Sequence, residues 1–600
     1  MPPPSNDVAT SDSPDSLSGN RSARERLLLY GCAALVVAVV LGPLVRAGYV
    51  LRYDMVFVPR QPLRWDLVAP AGSPPRAVPL DALVSLTALV APGWLVQRVA
   101  LGAVLAGAAI GAGRLVPARR PATRLVAALG YAWTPFLAER LLLGQWGLLL
   151  CYAALPWLVA AALDVRRGRP AAGSRLVLAA TCASVTPTGG IIAFATTSLL
   201  AVSPGVGRAV PPGVDRAVAP GVGRALRGHR LGLPAAVAAL NAPWLLVAAA
   251  SAAPAVSDPA GVAAFAARAE NWGGTIAALA GTGGIWNAQV VPASRTAPLV
   301  PLCTLGVLAV AVLGFGRLRR RWPEGTATRL ALLGGGALLL AAAGALPGTA
   351  GLLRAAVAHL PGAGLLRDGQ KFLIPYALGL AVCLALGAER LAGLLAARVS
   401  AGAGRLVLAG FALLPVVLLP DLAWGAGGRL RPVAYPAEWA AVADAVAATP
   451  GPVLSLPMSA YRAYPWNGSA VVLDPAARYL PAPVVTDDRL RVGPIVVAGE
   501  GRDAAAVRAR LAAGRPVAAE RVRWVLVQHD TGGTVPATAV AGLTLIHRGA
   551  GLDLYRNPGY RPAGPARGRG LVGYLLAGSV IAAAGWRRVT RRRTTVAEEQ

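Results

Sequence analysis

Apolar runs long enough to cross a bilayer recur along this chain, and short arginine-rich segments separate them. A helix needs about 20 predominantly apolar residues to span the hydrocarbon core, where every backbone polar group must be bonded internally. This pattern excludes an ordinary soluble domain. Only 14% of the residues are charged, against about 25% in soluble domains. Fitting helices between the arginines predicts spans near 27–48, 97–116, 125–142, 147–164, 176–187, 190–203, 231–251, 298–316, 330–347, 372–389, 405–423 and 570–586, about twelve in all. Arg21, Arg24 and Arg26 precede the first span. Later clusters (Arg119, Arg120 and Arg124; Arg166, Arg167 and Arg169; Arg208 to Arg230; Arg317 to Arg321; Arg390 to Arg405; Arg587 to Arg593) all fall on the same side. The positive-inside rule therefore predicts a multi-pass plasma-membrane protein with both termini cytoplasmic. The formal charge of +30 is a topology signal on this reading. It implies membrane lipids as partners and no nucleic acid.

The expected fold class is mainly α: a polytopic membrane protein with a small α/β extracytoplasmic domain before its last helix. Residues 1–20 read as a disordered cytoplasmic tail, polar and rich in Ser, Pro and Asp. Residues 21–423 form the transmembrane module, 424–569 the extracytoplasmic domain, and 570–600 the final span with a basic cytoplasmic tail. Within the module, Thr186-Pro187-Thr188-Gly189-Gly190 breaks 176–203 into two short helices. Residues 79–95 are expected to form an interfacial helix. The degenerate Pro-Gly-Val repeat at 204–230 reads as a flexible cytoplasmic loop. The 424–569 segment alternates helix-like text (438–448, 503–513) with strand-like runs at 453–456, 471–473, 524–528 and 552–555.

Ion-coupled transporters need ionisable groups at mid-membrane. No Asp, Glu, Lys or Arg falls near the centre of a predicted span. Polar chemistry gathers instead in the outer loops. One group is Arg52, Asp54, Arg60, Arg64 and Asp66. Glu139-Arg140 and Gly144-Gln145-Trp146 mark a tight hairpin. Glu270-Asn271-Trp272 and Trp286-Asn287 follow. Last comes Arg367-Asp368-Gly369-Gln370-Lys371, which holds the only lysine among 58 Lys and Arg residues.

A cytoplasmic N-terminus, an acidic residue and an interfacial helix in the first outer loop, short helix pairs and an appended outer domain together resemble the GT-C superfamily. These are integral membrane glycosyltransferases that use polyprenyl-phosphate sugars. The Arg- and Ala-rich text resembles actinobacterial arabinofuranosyl- or mannosyltransferases of cell-wall biogenesis. The resemblance implies transfer of a sugar from a polyprenyl-phosphate donor to a cell-envelope glycan or lipid acceptor on the extracytoplasmic face. It makes Asp54 the catalytic base. Arg367 and Lys371 are the candidates for the donor phosphate. Arg52, Glu139, Arg140, Gln145, Trp146, Asn271, Trp272, Trp286 and Asn287 are the candidate substrate-binding residues. No metal ligands are assigned and no cofactor is required by a motif, although a divalent cation stays open. The residues also leave open a lipid or polysaccharide transporter or flippase, and a non-catalytic scaffold presenting the 424–569 domain.

Overall fold

The computed structural model describes residues 14–202, 232–562 and 570–598. The 204–230 repeat and residues 1–13 lie outside them. The chain is mainly helical, with a few small sheets. Seven described helices are long and apolar enough to cross a membrane: Ala23–Val45, Gly93–Leu115, Trp146–Arg166, Val300–Arg321, Thr326–Ala343, Gly369–Arg398 and Ala401–Leu418. An eighth is reached if the pair Gly232–Leu240 and Ala242–Ala250, bent by 56°, is one span.

The difference from twelve has local causes. The expected span 125–142 is two short helices, Pro121–Ala132 and Pro135–Leu142, because Pro135 cannot donate to the preceding turn. The break at Thr186-Pro187 likewise yields Ala172–Ala183 and Pro187–Leu200, too short to count singly. At the other end, residues 14–20 of the expected tail are helical, in Pro14–Leu41. Ser22, Ala23, Arg24, Glu25 and Arg26 supply mostly good helix formers that carry the apolar run back toward the N-terminus. The expected interfacial segment 79–95 forms the short helix Leu80–Thr87, and its last residues, from Gly93, begin the Gly93–Leu115 helix.

Ile374–Arg398 is the central pillar. It packs against Val300–Arg321, Ala401–Leu418, Pro121–Ala132 and Thr326–Ala343. Its contact with Val300–Arg321 depends on two glycines. A Cβ on Gly314 would collide with the Cys383 carbonyl, and one on Gly387 with the Val310 carbonyl. Small residues are what allow helices to approach this closely.

The C-terminal domain carries a five-stranded sheet. Val453–Leu456 lies parallel to both Val484–Val485 and Trp524–Gln528, and the hairpin Thr544–Arg548 and Leu552–Arg556 pairs antiparallel on the far side. Trp524–Gln528 is buried along its whole length, which explains its nearly unbroken apolar text. One face of the sheet packs on Trp439, Val442 and Val446 of Glu438–Ala448, and the other on Val507 of Arg502–Ala512. A separate hairpin, Tyr461–Ala463 with Val471–Leu473, faces the helices. Residues 49–57 run through the seam between them. Tyr49–Val50 pairs with Pro432–Val433. Tyr53 N–H donates to the Val471 carbonyl at 2.6 Å, and Leu473 N–H donates to the Tyr53 carbonyl at 2.8 Å.

Candidate functional site

The short helix Pro135–Leu142 aims the polar groups. Thr134 caps it, accepting from Leu137 N–H at 3.2 Å, and Pro135 fills the first position, where its missing N–H costs nothing. Phe136 through Leu142 are all buried. Gly144, at φ 78°, then reverses the chain into Trp146–Arg166. A Cβ there would collide with the backbone of Arg52 and Met55. The glycine thus lets the first loop touch the turn, and Asp54 N–H donates to the Leu143 carbonyl at 3.1 Å. The preceding residue, Tyr53, holds φ at 44°. A non-glycine residue in that region is strained, and strain of this kind persists where the surroundings over-determine the backbone.

Asp54 is half-buried. Its Oδ2 accepts from Gln145 Nε2 at 3.0 Å, and its Oδ1 accepts from the Tyr461 hydroxyl at 2.5 Å. Gln145 is oriented in turn by Arg140, whose Nη1 donates to Gln145 Oε1 at 2.7 Å. The Arg140 side chain is fully buried and forms a two-armed pair with Asp368, both arms at 2.8 Å. It also donates to Gln370, which donates onward to Glu139 Oε2 at 3.0 Å. Lys371 Nζ lies 3.6 Å from Asp368. One continuous polar chain therefore joins Asp54, Gln145, Arg140, Asp368 and Lys371. A buried guanidinium is costly unless its donors are bonded; here two carboxylate oxygens and two amide oxygens take both Nη groups, while Nε has no hydrogen-bond partner.

Burial pushes the Asp368 carboxyl up, but Arg140 and Lys371 outweigh it and hold it below the ordinary carboxylate range. Arg140 and Lys371 thus bring two positive charges to one carboxylate. Lys371 is also within electrostatic reach of Asp54 and Arg367. Arg367 lies over the Phe265 ring at 5.6 Å and 3.7 Å from Glu500 of the C-terminal domain. Burial lowers its guanidinium below the ordinary value, with Glu500 opposing.

Two other candidates touch this network, Glu139 through Gln370 and Trp286 beside Asp368. Glu139 is completely buried and faces Glu270, which pairs with Arg295 at 2.8 Å. It is not placed at an open hairpin. Arg52 lies over the Tyr53 ring at 5.5 Å. Trp146 is only 9% exposed and packs on Phe57 at 5.0 Å, so it offers no face to a sugar. Trp272 is 66% exposed and donates to the Pro298 carbonyl. Trp286 meets Phe265 edge-on. Asn271 and Asn287 accept from Gly273 and Gln289 N–H, as local turn caps. Asp368 and Gln370 were visible as polar text beside Lys371. Nothing local in the sequence links Tyr461 to Asp54.

Among the described residues no group of three or more His, Cys, Asp and Glu could hold a metal ion. Each Asp54 oxygen already accepts from a donor, and Asp368 is taken by Arg140. This set does not fit a divalent cation, which wants several free oxygen ligands.

A groove lies between Pro121–Ala132, Val300–Arg321, Ile374–Arg398 and Ala401–Leu418. Its walls are mostly apolar, with Thr134, Thr282, Thr304 and Arg295 as polar exceptions. Arg295 is the group that pairs with Glu270, so the groove ends one contact from Glu139.

No family model and no curated protein matches the chain. Solved structures do. A structure of the arabinofuranosyltransferase AftD from Mycobacteria superposes with a TM-score of 0.55 at 17% identity, covering 89% of this chain and 40% of that one. Two structures of a mutant of that transferase give TM-scores of 0.52 and 0.50 at 17% and 16% identity. The chain shares the fold of a mycobacterial arabinofuranosyltransferase. It spans about two fifths of the length of the transferase it matches. With 89% of the chain covered, the arabinofuranosyltransferase fold takes in far more than any single helix or sheet.

Proposed function

We propose that this protein is a GT-C-type membrane glycosyltransferase. It moves a sugar from a polyprenyl-phosphate donor to a cell-envelope glycan or lipid acceptor on the extracytoplasmic face. The observation that carries this reading is the convergence at one seam. Asp54, the polar chain to Lys371, and Arg367 meet where the helices join the C-terminal domain, in a fold shared with an arabinofuranosyltransferase. The groove between spans supports a substrate with a hydrocarbon chain. The arginine pattern supports both termini on the cytoplasmic side, and twelve crossings belong to this reading, with helix pairs broken at proline counted among them.

The chemistry asks two things of the residues. Asp54 takes the proton of the acceptor hydroxyl as its oxygen bonds to the anomeric carbon. The bond from that carbon to the phosphate oxygen breaks on the opposite face, and the polyprenyl phosphate leaves with the electron pair. Lys371 and Arg367 meet the charge that gathers on the phosphate. Lys371 suits this because Asp368 is already satisfied by Arg140, so its ammonium is only partly compensated.

The test is Asp54→Asn, assayed for sugar transfer from a polyprenyl-phosphate sugar in membranes. The expected result is loss of transfer with insertion and stability unchanged. Full activity in that variant would sink the assignment. Lipid flux across sealed vesicles without a new glycosidic bond would favour a transporter instead.

A further inference from the structure

A side chain of the C-terminal domain bonds Asp54 directly. Tyr461 stands on the hairpin strand Tyr461–Ala463, whose partner strand Val471–Leu473 bonds the Tyr53 backbone on both sides. The Asp54 loop is therefore an added edge of that hairpin, held by main-chain bonds. Position is thus fixed to within a hydrogen bond, and the Tyr461 ring is packed edge-on to Tyr53 at 6.3 Å. Its hydroxyl lies 2.5 Å from Asp54 Oδ1. Burial first, and then Asp54, push the Tyr461 phenol well above its ordinary value. It remains a donor throughout the range in which a carboxylate works as a base.

We propose that Tyr461 is a positioning residue for the transfer reaction, a phenol supplied by the C-terminal domain that keeps the Asp54 carboxylate aimed. This rests on the reading of Asp54 as the base. The phenol's bond removes one of the two rotational choices open to the carboxylate, since Gln145 already holds the other oxygen. The domain is then part of the site, and the site is complete only when the domain is docked.

Several other charged groups surround the pair. Lys371, from the run before the Gly369–Arg398 helix, and Arg478, from the domain, both feel Asp54. Arg76 and Arg478 act on Tyr461. Arg52 is two residues away along the chain. All of these stay in place when only the phenol oxygen is removed, so a change in turnover is assignable to that oxygen.

The experiment compares full-length wild type, Tyr461→Phe and Asp54→Asn in membranes, with kcat and KM for sugar transfer measured separately. The Phe variant keeps the ring and its contact with Tyr53, and its thermal stability is measured alongside. The expected result is kcat lowered about tenfold with KM and thermal stability little changed, as loss of aim at the reacting group gives. An unchanged kcat, or a loss confined to KM, would overturn the role of Tyr461 while Asp54→Asn remains inactive. Activity in Asp54→Asn would overturn the base itself, a separate outcome. If Tyr461→Phe does not fold, 4-aminophenylalanine at position 461 replaces it. An aromatic amine is a weaker donor than a phenol, so kcat must fall with KM little changed, and an unchanged kcat would refute the proposal.

Discussion

Arg140 gives the sharpest test of how the site is built. Its side chain is fully buried, and Asp368, with 8% of its side chain exposed, takes both arms of its fork at 2.8 Å. Arg140→Met keeps much of the volume and removes the charge. Asp368 is then left buried with only Lys371, at 3.6 Å, and the oxygens of Gln145 and Gln370 lose their donor. Breaking a buried pair from one side costs about 3–5 kcal/mol. At about 2–4 °C per kcal/mol for units of 150–250 residues, that lowers the unfolding temperature by on the order of 10 °C. Adding Asp368→Leu removes the orphaned charge, and replacing a buried pair by apolar groups is often neutral. The double variant is therefore expected to recover most of the stability. It is not expected to recover transfer, because Gln145 has lost the group that orients it toward Asp54. The assay is thermal unfolding of purified protein in detergent, followed by tryptophan fluorescence, with sugar transfer measured on the same samples. A single variant within about 2 °C of wild type, or a double variant no better than the single, would refute the reasoning, since coupled neighbours must show a non-additive term.

Gly144→Ala puts a Cβ into the backbone of Arg52 and Met55 at a position with φ 78°. It is expected to cost more than about 1 kcal/mol, since Ala does not tolerate positive φ, and to abolish transfer in membranes by displacing the Asp54 loop. Asp474 predicts the acid stability of the C-terminal domain. Burial raises its carboxyl, but Arg462, Ser455, the Ala476 N–H and Gln528 together hold it below the ordinary range. A depressed folded value contributes stability that is present above the unfolded value of about 3.9 and is lost as pH falls through the folded one. Asp474→Asn should therefore lower the melting temperature at neutral pH and flatten its fall below about pH 4, measured by scanning from pH 7 to pH 2.

Arginine spacing made the membrane module legible, because charge and apolar length are both written locally. Counting spans by hydropathy gives more segments than there are long apolar helices where a proline sits inside an apolar run. Pro135 divides 125–142, and the short second half is what carries Glu139 and Arg140 into the protein. The strands and helices of the C-terminal domain were readable for the same local reason, since Val453–Leu456 and Trp524–Gln528 stand out as mostly β-branched and apolar text. Asp54, Arg140, Gln145 and Lys371 were also visible, as polar residues next to apolar spans. Their partners were not. Arg140 meets Asp368 across 228 positions, and Tyr461 meets Asp54 across 407. No period or local motif encodes a contact of that range. Trp146 misled for a related reason. A tryptophan at a hairpin between spans reads as a belt or stacking residue, and only the return of Phe57 over it shows that its face is taken.

The seam between helices and domain is secured unevenly, and the unevenness bears on mechanism. Arg76 meets Glu500 at 2.8 Å with 55% of its side chain exposed, and an exposed pair of that kind is worth about 0–1 kcal/mol. Arg478 with Asp81, at 16% and 14% exposure, is far better shielded. Arg64 is bound by Asp66 and by the carbonyls of Ala477 and Leu480. The strongest ties fall on residues 49–66 and on Asp81, the segments that flank Asp54 in sequence. Loosening the domain therefore strains the first loop before it disturbs any span. A domain movement of even one hydrogen-bond length at Tyr461–Ala463 would pass directly to Tyr53 and Asp54 through the main-chain bonds to Val471 and Leu473. Helices and domain are thereby coupled most closely at the first loop, and that loop is where the chemistry is proposed to occur.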